Sequence, residues 1–93
     1  MVITLCGSAR FRSEIDEAQK DLALQGHQVF TIEDLEGVEI TKEIEAMLDL
    51  SHRKKIDLSD AIYVINVNGY IGASASNEIE YARNKGKEIL YLE

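Results

Sequence analysis

The stretch "AIYVINV", Ala61 to Val67, decides the fold. It is apolar at nearly every position instead of at alternate ones, and four of its residues, Ile62, Val64, Ile65 and Val67, are β-branched. Such a strand is covered on both faces and belongs in the middle of a parallel sheet. Reading onward, the Gly- and Ser-rich run "GYIGASAS", Gly69 to Ser76, leads into a helix expected from about Ser76 to Lys85. Gly86 supplies its stop, and "EILYL", Glu88 to Leu92, reads as a last strand.

Reading back from Ala61, Ile40, Ile44, Met47, Leu48 and Ile56 mark an amphipathic helix in which a break is allowed for, preceded by an acidic loop from Glu33 to Glu39. "VITLC", Val2 to Cys6, is a first buried strand that stops at Gly7-Ser8. Phe11, Ile15, Ala18 and Leu22 then repeat at helical spacing, Gly26 ends that helix, and "HQVFTI", His27 to Ile32, is the second strand. The order βαβαβαβ with tight connections implies an α/β class with right-handed crossovers. The expected architecture is a single domain over residues 1–93: a small Rossmann- or flavodoxin-like three-layer sandwich on a parallel four-stranded sheet, order 2-1-3-4.

At 93 residues and 45% hydrophobic content, the chain has one modest core. Self-association, as a homodimer or higher homo-oligomer, is therefore expected to add buried apolar area. A formal charge of -7 argues against a nucleic-acid polymer or an anionic membrane as partner. No apolar run reaches the roughly 20 residues that cross a bilayer, and no leader pattern opens the chain, so a cytoplasmic location is expected. The lone cysteine, Cys6, has no partner for an internal disulfide, and no Cys or His run has zinc-ligand spacing, so neither a metal nor a cofactor is expected.

In open α/β sheets, ligands bind where strand ends lead into helix N-termini. Three segments converge there: Gly7 to Arg10, the acidic loop, and Asn66 to Asn77. The last combines glycines, which permit close backbone approach, with serine hydroxyls and a helix start. Tyr70 within it is free to touch a ligand. It matches neither the dinucleotide fingerprint nor a Walker loop. Glu78 has two readings: a first-turn carboxylate that stabilises its helix, or a site residue, since it lies beside the packing stripe Ile79, Ala82, Gly86. His52 falls on the line Leu48, His52, Ile56 and is turned towards the core or the site. In "HRKK", Arg53 and Lys54 suit a solvated face. Cys6 to Arg10 is too short for a cysteine-phosphatase loop, and Cys6 reads as an inert strand-end residue.

With Cys6-Gly7-Ser8-Ala9-Arg10 at one end and "SDAIYVIN", then "GYIGASASNEIEYARNKGKEILYL", at the other, the chain resembles the nucleoside 2-deoxyribosyltransferase superfamily, which includes the 2'-deoxynucleoside 5'-monophosphate N-hydrolases. The resemblance spans Ile3 to Arg10 and His52 to Leu92. It implies cleavage or transfer at the N-glycosidic bond of a (deoxy)nucleoside or its 5'-monophosphate, without a cofactor. Glu78 would be the nucleophile, forming a glycosyl-enzyme that passes to water or to another base. The same resemblance has the Gly72 to Ser76 segment, with Ser74 and Ser76, hold the sugar or 5'-phosphate, and Gly7, Ser8 and Arg10 approach the phosphate or sugar side; Asn66 and Tyr70 complete the expected binding set. Family members carry an aspartate about eight residues before the acidic residue at Asp60; here that count lands on His52, which is taken as its replacement. The family also continues past the last strand, so the strand Glu88 to Leu92 is expected to be an open edge that favours pairing. The alternative is a non-catalytic nucleotide-binding module of the same fold, and a third reading is a purely structural or interaction domain.

Overall fold

The computed structural model describes residues 1–33 and 37–93. Its elements are β1 (Val2–Gly7), a 3-10 turn (Ala9–Phe11), α1 (Arg12–Leu24), β2 (Gln28–Phe30), α2 (Lys42–Asp57), β3 (Ala61–Ile65), a second 3-10 turn (Val67–Gly69), α3 (Ala73–Asn84) and β4 (Glu88–Tyr91). All four strands are parallel and lie in the order β2-β1-β3-β4. The α/β class and the strand order both stand as the sequence implies.

Strand alternation builds the layers. Side chains along a strand point to opposite faces in turn. Ile3 and Leu5 of β1, with Ala61 and Ile65 of β3, face α1 and pack on Ile15, Ala18 and Leu22. Cys6, Ile62 and Val64 face the other way, onto Ile56 of α2 and Ile79 and Ala82 of α3. The sheet is thus covered by α1 on one side and by α2 and α3 together on the other. Cys6, at the C-terminal end of β1, lies on the two-helix side.

A polar link fixes α2 to β1 beneath this layer. The Ser59 hydroxyl donates to the Lys55 carbonyl at 2.7 Å, which leaves the Thr4 hydroxyl to donate to Ser59 at 2.6 Å. Both residues are buried, so each needs that partner.

Three expectations change. The second strand is Gln28–Phe30 instead of His27 to Ile32, because it is an edge strand pairing only with Val2 to Thr4, while the His27 N–H closes the end of α1 on the Leu22 carbonyl. Helix α2 runs unbroken, with Ile44, Leu48, His52 and Ile56 on its inner line. Met47 is turned one step off that line and is 69% exposed, and Ile40 precedes the helix and is also exposed, so neither belongs to the packing stripe. Finally, α3 begins at Ala73, not Ser76: the Ser76 N–H already bonds to the Gly72 carbonyl at 2.9 Å, and Ala75 is buried. Ala73 to Ser76, the last part of the run read as a loop, form the first turn. Residues 34–36 of the acidic loop lie outside the described residues.

Gly7 is required by close approach. A Cβ there would stand 3.0 Å from the Ile65 Cβ and 3.2 Å from the Ile65 carbonyl oxygen on the neighbouring strand. We expect Gly7→Ala to destabilise the fold by about 1–3 kcal/mol through overpacking, read as a lowered midpoint in urea unfolding; an unchanged midpoint would show that β1 and β3 can part without cost.

Candidate active site

The cleft lies where α2 and α3 meet above the end of β1. His52, on the inner line of α2, places Nε2 at 2.9 Å from Glu78 Oε2 on α3. The same Nε2 is 3.4 Å from the Cys6 Sγ. His52 and Glu78 are largely but not fully covered, while Cys6 is buried. Burial pushes the Cys6 thiol well above its ordinary range, and the Glu78 carboxylate beside it pushes in the same direction. Both effects favour the thiol over the thiolate.

Because α3 starts at Ala73, Glu78 lies in the second turn, and the first turn carries no acidic residue. The reading of Glu78 as a first-turn helix stabiliser is thereby corrected: the macrodipole acts mainly on the terminal turn. Its surroundings are instead a cleft. One cavity of about 200 Å³ is lined by Glu45, Asp49, His52, Arg53, Ala73, Ser74, Asn77 and Glu78. A second, of about 120 Å³, is lined by Gly7, Ile32, Glu33, Leu48, Asp49, His52, Ser74 and Glu78. The His52–Glu78 pair borders both.

Helix geometry explains the lining. Ala73, Ser74, Asn77 and Glu78 share one face of α3, and Glu45, Asp49 and His52 share one face of α2. Asp49 was not singled out in the sequence, although its spacing of three before His52 places it on the same face. Ser76 points elsewhere: it is exposed and borders neither cavity. Gly72 caps α3 with no side-chain acceptor, and a Cβ there would meet only the Tyr70 ring at 3.7 Å. The fold itself thus leaves room at Gly72.

The other expected residues, Ser8, Arg10, Tyr70 and Asn66, line neither cavity. The Ser8 hydroxyl accepts from the Arg10 N–H at 3.3 Å. The Arg10 guanidinium lies over the Tyr70 ring, 4.1 Å from its centre, and Phe11 meets the same ring edge-on at 5.8 Å. This stack joins the turn after β1 to the loop after β3. Asn66 borders neither cavity; its side-chain amide bonds to the Glu93 backbone, accepting at 2.9 Å and donating at 3.3 Å, and so ties the chain beyond β4 to the end of β3. On the far wall, Lys55 donates to Glu33 at 2.6 Å and to the Thr31 carbonyl at 3.0 Å. That hydrogen bond, with the Lys55 charge, lowers the Glu33 carboxyl below its ordinary pKa.

No protein-family model matches the sequence, and no curated protein matches it. Solved structures do share the fold. A 2-deoxyribosyltransferase from the psychrotolerant bacterium Bacillus psychrosaccharolyticus aligns with a TM-score of 0.79 at 19% identity, over 98% of this chain and 71% of that one. A CMP N-glycosidase from Clostridium botulinum aligns with a TM-score of 0.69 at 16% identity, over 98% of this chain and 70% of that one. At these identities the likeness establishes the fold, and it is the fold that the sequence resemblance implies.

Proposed function

We propose that the chain cleaves or transfers at the N-glycosidic bond of a (deoxy)nucleoside or its 5'-monophosphate, with Glu78 as nucleophile. The observation that carries this reading is a carboxylate held by one oxygen at the junction of two cavities. His52 Nε2–H donating to Oε2 fixes the carboxylate plane and leaves the other oxygen's lone pairs for attack on the anomeric carbon. The bond from that carbon to the base nitrogen breaks as the new C–O bond forms. The resulting glycosyl ester is then released to water or to a second base, with the anomeric configuration retained after two displacements.

The two cavities offer room for the two halves of such a substrate. Asp49 borders both cavities and is the group we place against the base, where the resemblance calls for an acidic side chain and the sequence count finds His52. His52 then acts as the positioning partner of Glu78. The fold of the two solved enzymes, one a deoxyribosyltransferase and one a nucleotide N-glycosidase, supports this class of chemistry. The deciding experiment incubates the protein with a panel of deoxynucleosides, ribonucleosides and their 5'-monophosphates, with and without a second base, and follows free base. Binding without base release across the panel would leave a nucleotide-binding module in place of an enzyme.

We assign the 5' end to the Arg10–Tyr70 stack, which joins the turn after β1 to the loop after β3. On that assignment, monophosphates bind better than nucleosides, and Arg10→Ala removes about ten- to a hundredfold of that preference, the worth of one charge-assisted hydrogen bond. Equal affinity of the wild type for both ligand types would take the phosphate out of the reading.

Self-association belongs to the same proposal. Edge strands β2 and β4 leave ladder groups open, and Met47, Leu50 and Leu58 of the α2 region put apolar surface in water. Light scattering at tens of micromolar, about the range in which weak dimers persist, is expected to give at least a dimer mass; a monomer mass would refute this part.

A further inference from the structure

We propose that Cys6, His52 and Glu78 together bind a thiophilic divalent cation of the zinc class. The three residues come from β1, α2 and α3, and their ligand atoms all lie within 4.8 Å of one another. Zinc bonds of about 2.3 Å to sulfur and about 2.0–2.2 Å to nitrogen and oxygen place tetrahedral ligands roughly 3.3–3.6 Å apart. The separation of 3.4 Å between His52 Nε2 and Cys6 Sγ already has that value, and the 2.9 Å from Nε2 to Glu78 Oε2 needs only a small opening of the pair.

Donor chemistry selects the ion. A thiolate, an imidazole and a carboxylate suit zinc, whereas magnesium and calcium take oxygen ligands and gain nothing from sulfur. Three protein ligands with the fourth corner facing a cavity is the pattern of an open zinc site. Binding is balanced as follows: the Cys6 thiol gives its proton to solvent, the proton that His52 Nε2 otherwise donates to Glu78 is exchanged through solvent onto Nδ1 so that Nε2 is free, and Glu78 contributes a carboxylate oxygen. Thiolate and carboxylate neutralise the two positive charges of the ion, and Asp49 and Glu45 line the cavity beside it.

Metal-loaded protein would have Glu78 and His52 engaged at the ion, so the cation would act as an inhibitor of the cleft. That consequence, and not the site itself, rests on the N-glycosidic reading of Glu78. The site is tested without any turnover measurement.

The 93-residue chain, thiol-reduced and chelator-treated, is titrated with cobalt(II), followed by zinc. The expected result is a single equivalent of cobalt with a thiolate-to-cobalt charge-transfer band in the near ultraviolet and tetrahedral bands in the visible, all displaced by zinc. Cys6→Ser, checked for folding by circular dichroism, loses the charge-transfer band. Glu78→Gln and His52→Gln leave the buried thiol in place and do not depend on that variant folding. Each is expected to weaken zinc by more than the roughly 10–100-fold that loss of an outer-shell contact costs. Absence of the charge-transfer band in folded wild type, or zinc affinity unchanged in both Gln variants, overturns the proposal.

Discussion

Replacing Glu78 by glutamine is expected to lower turnover by on the order of 10⁴-fold or more, the scale of losing a catalytic nucleophile, while ligand affinity changes little. Glutamine has the same length and planar end, and its amide oxygen can still accept from His52 Nε2 across the present 2.9 Å contact. What it lacks is the anionic oxygen that forms the ester. The loss should therefore appear in kcat, read by single-turnover base release, while the Kd of a non-cleaved analogue stays near the wild-type value. Intact-protein mass spectrometry should show a glycosyl adduct on wild type and none on Glu78→Gln. Helix stability gives an independent control: with Glu78 in the second turn of α3, the macrodipole contribution is small, and thermal unfolding should move by little. Turnover that survives the substitution, or a large stability change with no kinetic effect, would remove Glu78 from the role of nucleophile.

Ile62→Ala is expected to produce the largest loss of stability, about 2–5 kcal/mol from lost burial plus the cavity left behind. Ile62 is completely buried at the middle of the sheet, packed with Val64 against Ile56, Ile79 and Ala82. It pairs in register with Thr4 on one side and Ile89 on the other, so the surrounding backbone is held by two ladders and can collapse only slightly into the gap. For a domain of this size each kcal/mol lowers Tm by roughly 4–8 °C, which differential scanning calorimetry resolves easily. Ile62 also underlies the layer that carries His52 and Glu78, so the variant should lose ligand affinity near its new Tm and regain it on cooling. A Tm within a few degrees of wild type would mean that the two-helix layer is less firmly packed than its burial implies.

The sequence by itself determined the element order, the parallel sheet and the inner line of α2. These are local properties: unbroken hydrophobicity in Ala61 to Val67, helical spacing in Phe11, Ile15, Ala18 and Leu22, and the four-residue steps through Leu48, His52 and Ile56. They also placed Glu78 beside a packing stripe, which is why it faces another helix and not open water.

Local signals failed where tertiary contacts competed with propensity. Serines and a glycine before Glu78 read as a loop because both residue types are poor helix formers, yet α3 extends back to Ala73 with Ala75 buried, which moves Glu78 out of the first turn. His27 to Ile32 has the composition of a long strand, but only three pairs form because β2 has a neighbour on one side alone. Above all, the meeting of Cys6, His52 and Glu78 joins residues that no local spacing relates. It follows from which face of β1 points at which helices, and that was decided only when pairing with β3 fixed the register and the two-helix layer settled on the side towards which Cys6 points.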